Sequence, residues 1–580
     1  MLFRSHVVLD AHEPNPAKAL GSPVKVSNRY SPPCDEALFA LSAQTPEALR
    51  ETLRELLRIA RAPGQTSVEQ LARRWWQAHR EALPGKHRVA LLARDTRQLA
   101  RLAQQALEGS PQEAIPGGED RDRVFASPEN ASGPPGRIAF VFPGSGNQFE
   151  NMGLELASQW PEILRAQDQD NQRLASQMCV DQFWNGALPR ELLHDHRSLI
   201  CGQVAFGTMV ADLAQRFDIR PTAAIGYSLG ESTALFAMHA WRQRDAMLSR
   251  LGRSSLFAHD LAGRPDVLRR LWNLPQDQPV EWVAGVVDCS ADLVRGAMAD
   301  RKRVYLLIVN TADECVIGGD RFVVEEVVAA IGCHWFPLQG VSTVHCELAH
   351  PVRDAYRRLH LFETTPPPDV EFFSCGWGRA YVPDRDTAAA AIEAQAMGTI
   401  DFPRVIRAAY AAGVQTFVEI GPGNSCSRMI AKILKGRPHF ARSLAVATQD
   451  PVTHFLRTVG QLFAEQVPVN LDLMYGADDG VAVAAATARS AEKVITVPLD
   501  GAPFRPPALP RPPASLRAPA PPPPTATSTA TPATLAAARA HEAAPRPETP
   551  APVAHQRVEA PHVAAHALPS TATEIGRAHV

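Results

Sequence analysis

A serine between two glycines is the first residue of this chain that could do chemistry: Gly226-Tyr227-Ser228-Leu229-Gly230-Glu231. On a tight strand-to-helix turn such a hydroxyl is exposed, and helix N–H groups stand beside it to receive an oxyanion. The flanking glycines leave room for the strained backbone beneath it. The chemistry served would be covalent catalysis through the hydroxyl. Gly/Ser patterns of this length also occur in ordinary loops, so the stretch alone divides evenly between nucleophile and turn. Three other stretches bear on the choice. Val341 to His350 carries His345 and His350, with no third ligand spaced as a zinc site requires. Pro143-Gly144-Ser145-Gly146 is a Gly-rich turn of the kind that presents backbone donors. No Gly-Lys-Ser/Thr follows, which disfavours a phosphate loop. Arg253 lies in a helical stretch, where an arginine is more often a solvated face than a site; its place in the fold must decide.

These residues need elements to hold them. Small apolar residues lead into Gly226, and an amphipathic helix pattern follows from Thr233. Ile138–Phe142 reads as a buried strand running into the Gly-rich turn, and Thr416–Ile420 as a strand ending in Gly421-Pro422-Gly423. Ser198–Phe217 reads as a helix, and Asp245–Phe257 as another. Between about 278 and 340 the pattern becomes β-α-β-β-α-β, the ferredoxin-like order, read here as a subdomain inserted into a larger α/β domain. Upstream, 37–125 reads as a small α/β unit. It has strands at Ala37–Ala43 and His87–Ala93, and helices after Thr45, around Val68–Trp75 and at Thr96–Leu107.

Composition bounds what these elements can build. A chain of 580 residues is too long for one core and implies several domains. Its net charge of -2 supplies no basic field for nucleic acid or an anionic membrane. No apolar run is long enough to span a bilayer, and the start does not read as a signal peptide. Nine scattered cysteines without a Cys-x-x-Cys pair argue against a disulfide framework or a zinc site, and for a reducing cytoplasm. From about 508 the sequence turns to Ala, Pro and Thr, the composition of an extended, disordered tether.

Five stretches together resemble the acyltransferase module of type I polyketide synthases and polyunsaturated-fatty-acid synthases, kin to the malonyl-CoA:acyl-carrier-protein transacylases. Phe142-Pro143-Gly144-Ser145-Gly146-Asn147-Gln148 is similar to F-P-G-Q-G-S-Q, and Gly226 to Glu231 to G-H-S-x-G-E. Arg253 stands at the family's separation from the serine. Val341 to His345 resembles the stretch ending in the catalytic histidine, and Glu419 to Gly423 the late E-x-G-P-G. Three positions depart from the pattern: Ser145, Tyr227 and Glu314. The resemblance implies a hydrolase-like α/β parallel-sheet core with an inserted ferredoxin-like subdomain, preceded by a small α/β linker domain. It divides the chain into a ketosynthase remnant (1–30), a ketosynthase–acyltransferase linker (31–125), an acyltransferase large subdomain (136–265 and 343–440) and the ferredoxin-like subdomain (266–342). A post-acyltransferase linker (441–507), the Ala/Pro tether (508–573) and an adaptor-like end (574–580) complete it.

The same resemblance assigns roles. Ser228 would be the nucleophile, His345 its base, and the Gln395 carbonyl the group that orients the imidazole. The backbone N–H groups of Leu229 and Ser145 would form the oxyanion hole, and Arg253 would bind the free carboxylate of a malonyl group. Malonyl-CoA, or a related dicarboxylic acyl-CoA such as methylmalonyl-CoA, is the expected substrate, with no permanently bound cofactor or metal. Expected partners are an acyl carrier protein with its phosphopantetheine and the ketosynthase domain of the same synthase, in a homodimeric parent. Two alternatives remain: a serine hydrolase or editing thioesterase, and a non-catalytic docking module.

Overall fold

The computed structural model describes residues 34–476, apart from short internal stretches of which 109–119 and 128–135 are the longest. The ketosynthase-like start, the end of the post-acyltransferase linker, the Ala/Pro tether and the adaptor-like end lie outside the described residues.

The chain opens with β1 (Ala37–Ala43), which pairs antiparallel with β2 (His87–Ala93); β2 pairs antiparallel with β3 (Val124–Ala126). Helices Pro46–Arg61 and Val68–His79 join β1 to β2, and Thr96–Glu108 follows β2. The Thr45 hydroxyl accepts the Ala48 N–H at 3.2 Å, satisfying a donor that a helix start leaves unpaired. Leu53, Leu56 and Leu57 recur on one face of that helix and are buried.

Next come β4 (Arg137–Phe142) and β5 (Ala223–Gly226). The chain then leaves to build β6 (Trp282–Val287), β7 (Val304–Thr311), β8 (Glu314–Asp320) and β9 (Trp335–Pro337). It returns as β10 (Glu371–Ser374), β11 (Arg379–Tyr381), β12 (Ile400–Asp401), β13 (Val414–Glu419) and β14 (Phe440–Ser443). One six-stranded sheet runs β11-β10-β5-β4-β13-β14, parallel except for β10–β11. Helices cover such a sheet on both faces, so its middle strands read as unbroken apolar runs. Ile138 to Phe142 and Ala223 to Gly226 are buried throughout.

The excursion forms a second sheet in the order β12-β7-β8-β6-β9. Its own four strands have the antiparallel ferredoxin-like order. The fifth, β12, comes from the returning chain and pairs parallel with β7, Ile400 opposite Ile308. An edge strand left open would expose unpaired N–H and C=O groups; the two-residue β12 covers it. After β14, helix Pro451–Ala464 packs back on the N-terminal unit. There a Cβ on Gly460 would lie 2.9 Å from Phe125. Tyr475 completes the return: its hydroxyl accepts the Leu38 N–H at 3.0 Å. Among the described residues no helix is long and apolar enough to cross a membrane.

Candidate active site

Ser228 sits where β5 turns into the helix Gly230–Ala237. Its φ is +54°, a left-handed conformation that a non-glycine residue adopts only when its surroundings impose it. Those surroundings are close. A Cβ on Gly226 would lie 2.1 Å from the Glu231 nitrogen, and one on Gly230 would lie 1.9 Å from the Phe142 carbonyl oxygen. Neither position admits a side chain, which is why the serine is bracketed by glycine. The Tyr227 N–H donates to the Phe142 carbonyl at 2.9 Å, fastening the turn to β4.

His345 reaches the serine from a segment 117 residues later: its Nε2 lies 2.8 Å from Ser228 Oγ. Its Nδ1 lies 2.6 Å from the Gln395 carbonyl oxygen. A carbonyl can only accept, so Nδ1 carries the proton and Nε2 is left as the acceptor for the serine hydroxyl. Burial pushes the imidazole down to about 4, against the upward pull of that carbonyl. His345 is therefore neutral at pH 7, the form a base needs. Its φ of +67° also lies in the left-handed region, so both members of the pair stand on strained backbone. The His345 N–H is held by the Ala396 carbonyl at 2.8 Å. His350 lies to the side, Nε2 at 3.2 Å from the Met397 carbonyl.

Gln395 does more than its motif suggested. Its side-chain amide donates to the Ser228 carbonyl at 2.9 Å, so one residue braces the serine with its side chain and the histidine with its backbone. Leu229 and Ser145 both line the cavity at the serine. Among the described residues neither of their N–H groups donates to a backbone carbonyl. The turn carrying Ser145 is held from behind by Gln203, whose amide donates to the Pro143 and Gly144 carbonyls at 2.8 and 2.7 Å. Sequence reasoning missed Gln203: a single glutamine inside an apolar helix carries no motif.

Arg253 requires a correction. It closes the helix Arg244–Arg253, is exposed, and does not line the cavity. The reason is helical periodicity. Met247 and Leu251, four apart, face the cavity, and a residue two positions beyond Leu251 points to the opposite side. The helix also stops short of the expected Phe257, because Ser254 adopts an extended conformation.

The other departures form a buried link. The Tyr227 hydroxyl donates to Asn310 Oδ1 at 2.8 Å, and Asn310 Nδ2 donates to Glu314 at 3.0 Å. The residue before the serine is thus tied to β7 of the inserted sheet. On the other side, Glu231 accepts the Cys375 N–H at 2.5 Å. Burial raises its carboxyl to about 8, so it is largely protonated at pH 7. Among the described residues no three His, Cys, Asp or Glu side chains gather as metal ligands.

No family model matches the chain. It is 26% identical over 322 residues to the malonyl CoA-acyl carrier protein transacylase of Bacillus subtilis, covering 55% of this chain and 95% of that protein. It is 23% identical over 360 residues to a polyunsaturated fatty acid synthase polypeptide of Thraustochytrium, covering 57% of this chain but 17% of that protein. Against polyketide synthase GfsA of Streptomyces halstedii the figures are 25% over 543 residues, 88% of this chain and 7% of that protein. The chain therefore spans only a small part of the two synthases. Among solved structures, the acyltransferase domain from module 8 of the salinomycin polyketide synthase superposes with a TM-score of 0.60 at 20% identity. That match covers 76% of this chain and 98% of that domain. In sequence the chain is thus similar to synthases of this kind and to a free-standing transacylase, and in fold to a polyketide synthase acyltransferase domain.

Proposed function

We propose that the chain moves a malonyl or related dicarboxylic acyl group from CoA, through an ester on Ser228, to the phosphopantetheine thiol of an acyl carrier protein. The observation that carries this reading is the line Ser228 Oγ, His345, Gln395 carbonyl, at 2.8 and 2.6 Å. In the first half-reaction Ser228 Oγ bonds to the thioester carbon as its proton passes to His345 Nε2. The tetrahedral oxyanion is met by the N–H groups of Leu229 and Ser145. The C–S bond then breaks, and the proton leaves with the CoA thiol. The second half runs the same steps backwards with the carrier thiol as attacker.

The malonyl group is favoured by the names of the relatives, not by Arg253, whose position lends it no support. The ketosynthase partner, the homodimeric parent and the cytoplasmic setting belong to the same proposal, which kinship with large synthases supports. So does the role of the Ala/Pro segment as a tether for a carrier domain. Incubating the protein with malonyl-CoA and reading its intact mass tests the proposal. A malonyl adduct on Ser228 that transfers to a holo carrier protein is expected. Release of free acid would mark a hydrolase, and no adduct would mark a docking module.

A further inference from the structure

Among the described residues, the cavity at Ser228, about 120 Å³, is lined by no Lys, Arg, Asp or Glu side chain. Part of its wall is aromatic. Phe236, Trp241 and Phe362 pack with ring centroids 4.7 to 5.6 Å apart, and Met247 and Leu251 line the same cavity. Two polar atoms in this wall are already engaged. Trp241 Nε1 donates to Thr364 at 2.8 Å, and His360 Nδ1 lies 2.8 Å from the Tyr356 carbonyl. The cation of this region, Arg250, stands behind the wall. Its guanidinium lies 4.1 Å from the Phe362 ring centre and donates to the Leu359 and Leu361 carbonyls at 3.3 and 2.9 Å. The aromatic and aliphatic part of the lining holds no cation to pair with a free carboxylate, whose burial without a partner is strongly unfavourable. It does favour hydrocarbon.

We infer that this wall is an acyl chamber: the thioester that loads Ser228 carries an apolar chain of several carbons, which lies against Phe236, Trp241, Met247, Leu251 and Phe362. The inference rests on the acyl-serine reading and deepens it. The chain is either a branch on C2 of a malonyl group or the tail of a simple acyl group; the chamber recognises the hydrocarbon common to both. Each methylene moved from water into such a wall favours binding by about fourfold.

The test is a competition. The protein is mixed with equimolar malonyl-, acetyl-, butylmalonyl- and hexanoyl-CoA, and the adducts on Ser228 are quantified by intact mass at short times. Chain-bearing adducts should exceed malonyl and acetyl by about tenfold or more, as a few buried methylenes require. Whether butylmalonyl or hexanoyl dominates identifies the source of the chain. In Met247→Phe, which fills the chamber, the ratio of chain-bearing to malonyl adduct should fall at least fivefold, on the order of one to two methylenes' worth of burial. Should that variant fail to fold, the wild-type competition decides alone. Malonyl or acetyl dominating the wild-type mixture overturns the chamber while leaving the transferase intact. No adduct from any thioester overturns both.

Discussion

The two sides of the site are built from opposite materials. On one side Ser228, His345 and Gln395 form a short hydrogen-bonded polar chain, with Ser228 and His345 on strained backbone. On the other, Met247, Leu251 and a group of packed aromatic rings form a smooth apolar wall. The polar side must place a proton to within a few tenths of an ångström. The apolar side needs only the right volume and no unpaired charge. Substitutions on the first should therefore be severe and residue-specific, and on the second graded by size.

The largest effect is expected for Ser228→Ala, which removes the hydroxyl hydrogen-bonded to His345. No adduct should appear by intact mass with any acyl-CoA, and a surviving adduct would place the nucleophile elsewhere. His345→Ala should slow acylation by roughly 10²–10⁴-fold, the usual range for a lost general base. A loss below tenfold would mean that the 2.8 Å approach to Ser228 is not the productive one.

Acidity offers a milder probe. With the imidazole lowered to about 4, His345 stays neutral as pH falls through 6.5. Acylation at pH 5.5 should stay near its neutral rate, whereas a base of ordinary pKa would lose about tenfold. Stability has the same sign. A depressed imidazole contributes fully above pH 6.5, and that contribution is lost progressively as pH falls toward 4. Short acylation times separate rate from unfolding. A midpoint near 6.5 in the rate would break the picture of a desolvated base.

The smallest effects sharpen the contrast. Ser145→Ala should leave turnover within about twofold, because the expected oxyanion donor there is backbone. Arg253→Ala should change malonyl loading by no more than about twofold, since an exposed side chain outside the cavity has little to lose. A collapse of malonyl loading in Arg253→Ala would restore the carboxylate role and count against the apolar chamber.

The glycine bracket around Ser228 was legible because its causes are close in the chain or on the next strand. Gly226 and Gly230 are glycines on account of backbone a few residues away or on the adjacent strand. Strand boundaries followed for the same reason: β1, β2 and β4 are short apolar runs closed by turn residues, and the structure places them within a residue of expectation. Arg253 shows where that reasoning ends. Its spacing from the serine is right, yet direction depends on where the helix turns and stops, and Ser254 stops it early.

The family resemblance of its motifs paired a serine with a distant histidine, while the β-α-β-β-α-β order marked off an inserted sheet, because strand periodicity and tight turns are encoded within a few residues. Folding alone brought Gln203 behind the turn that carries Ser145, joined Tyr227 to Asn310 across two sheets, added β12 to an open edge and closed aromatic rings into a wall. Those contacts join residues tens to more than a hundred positions apart. Their energies depend on volume, dehydration and direction, and none of these is a property of a short stretch of chain.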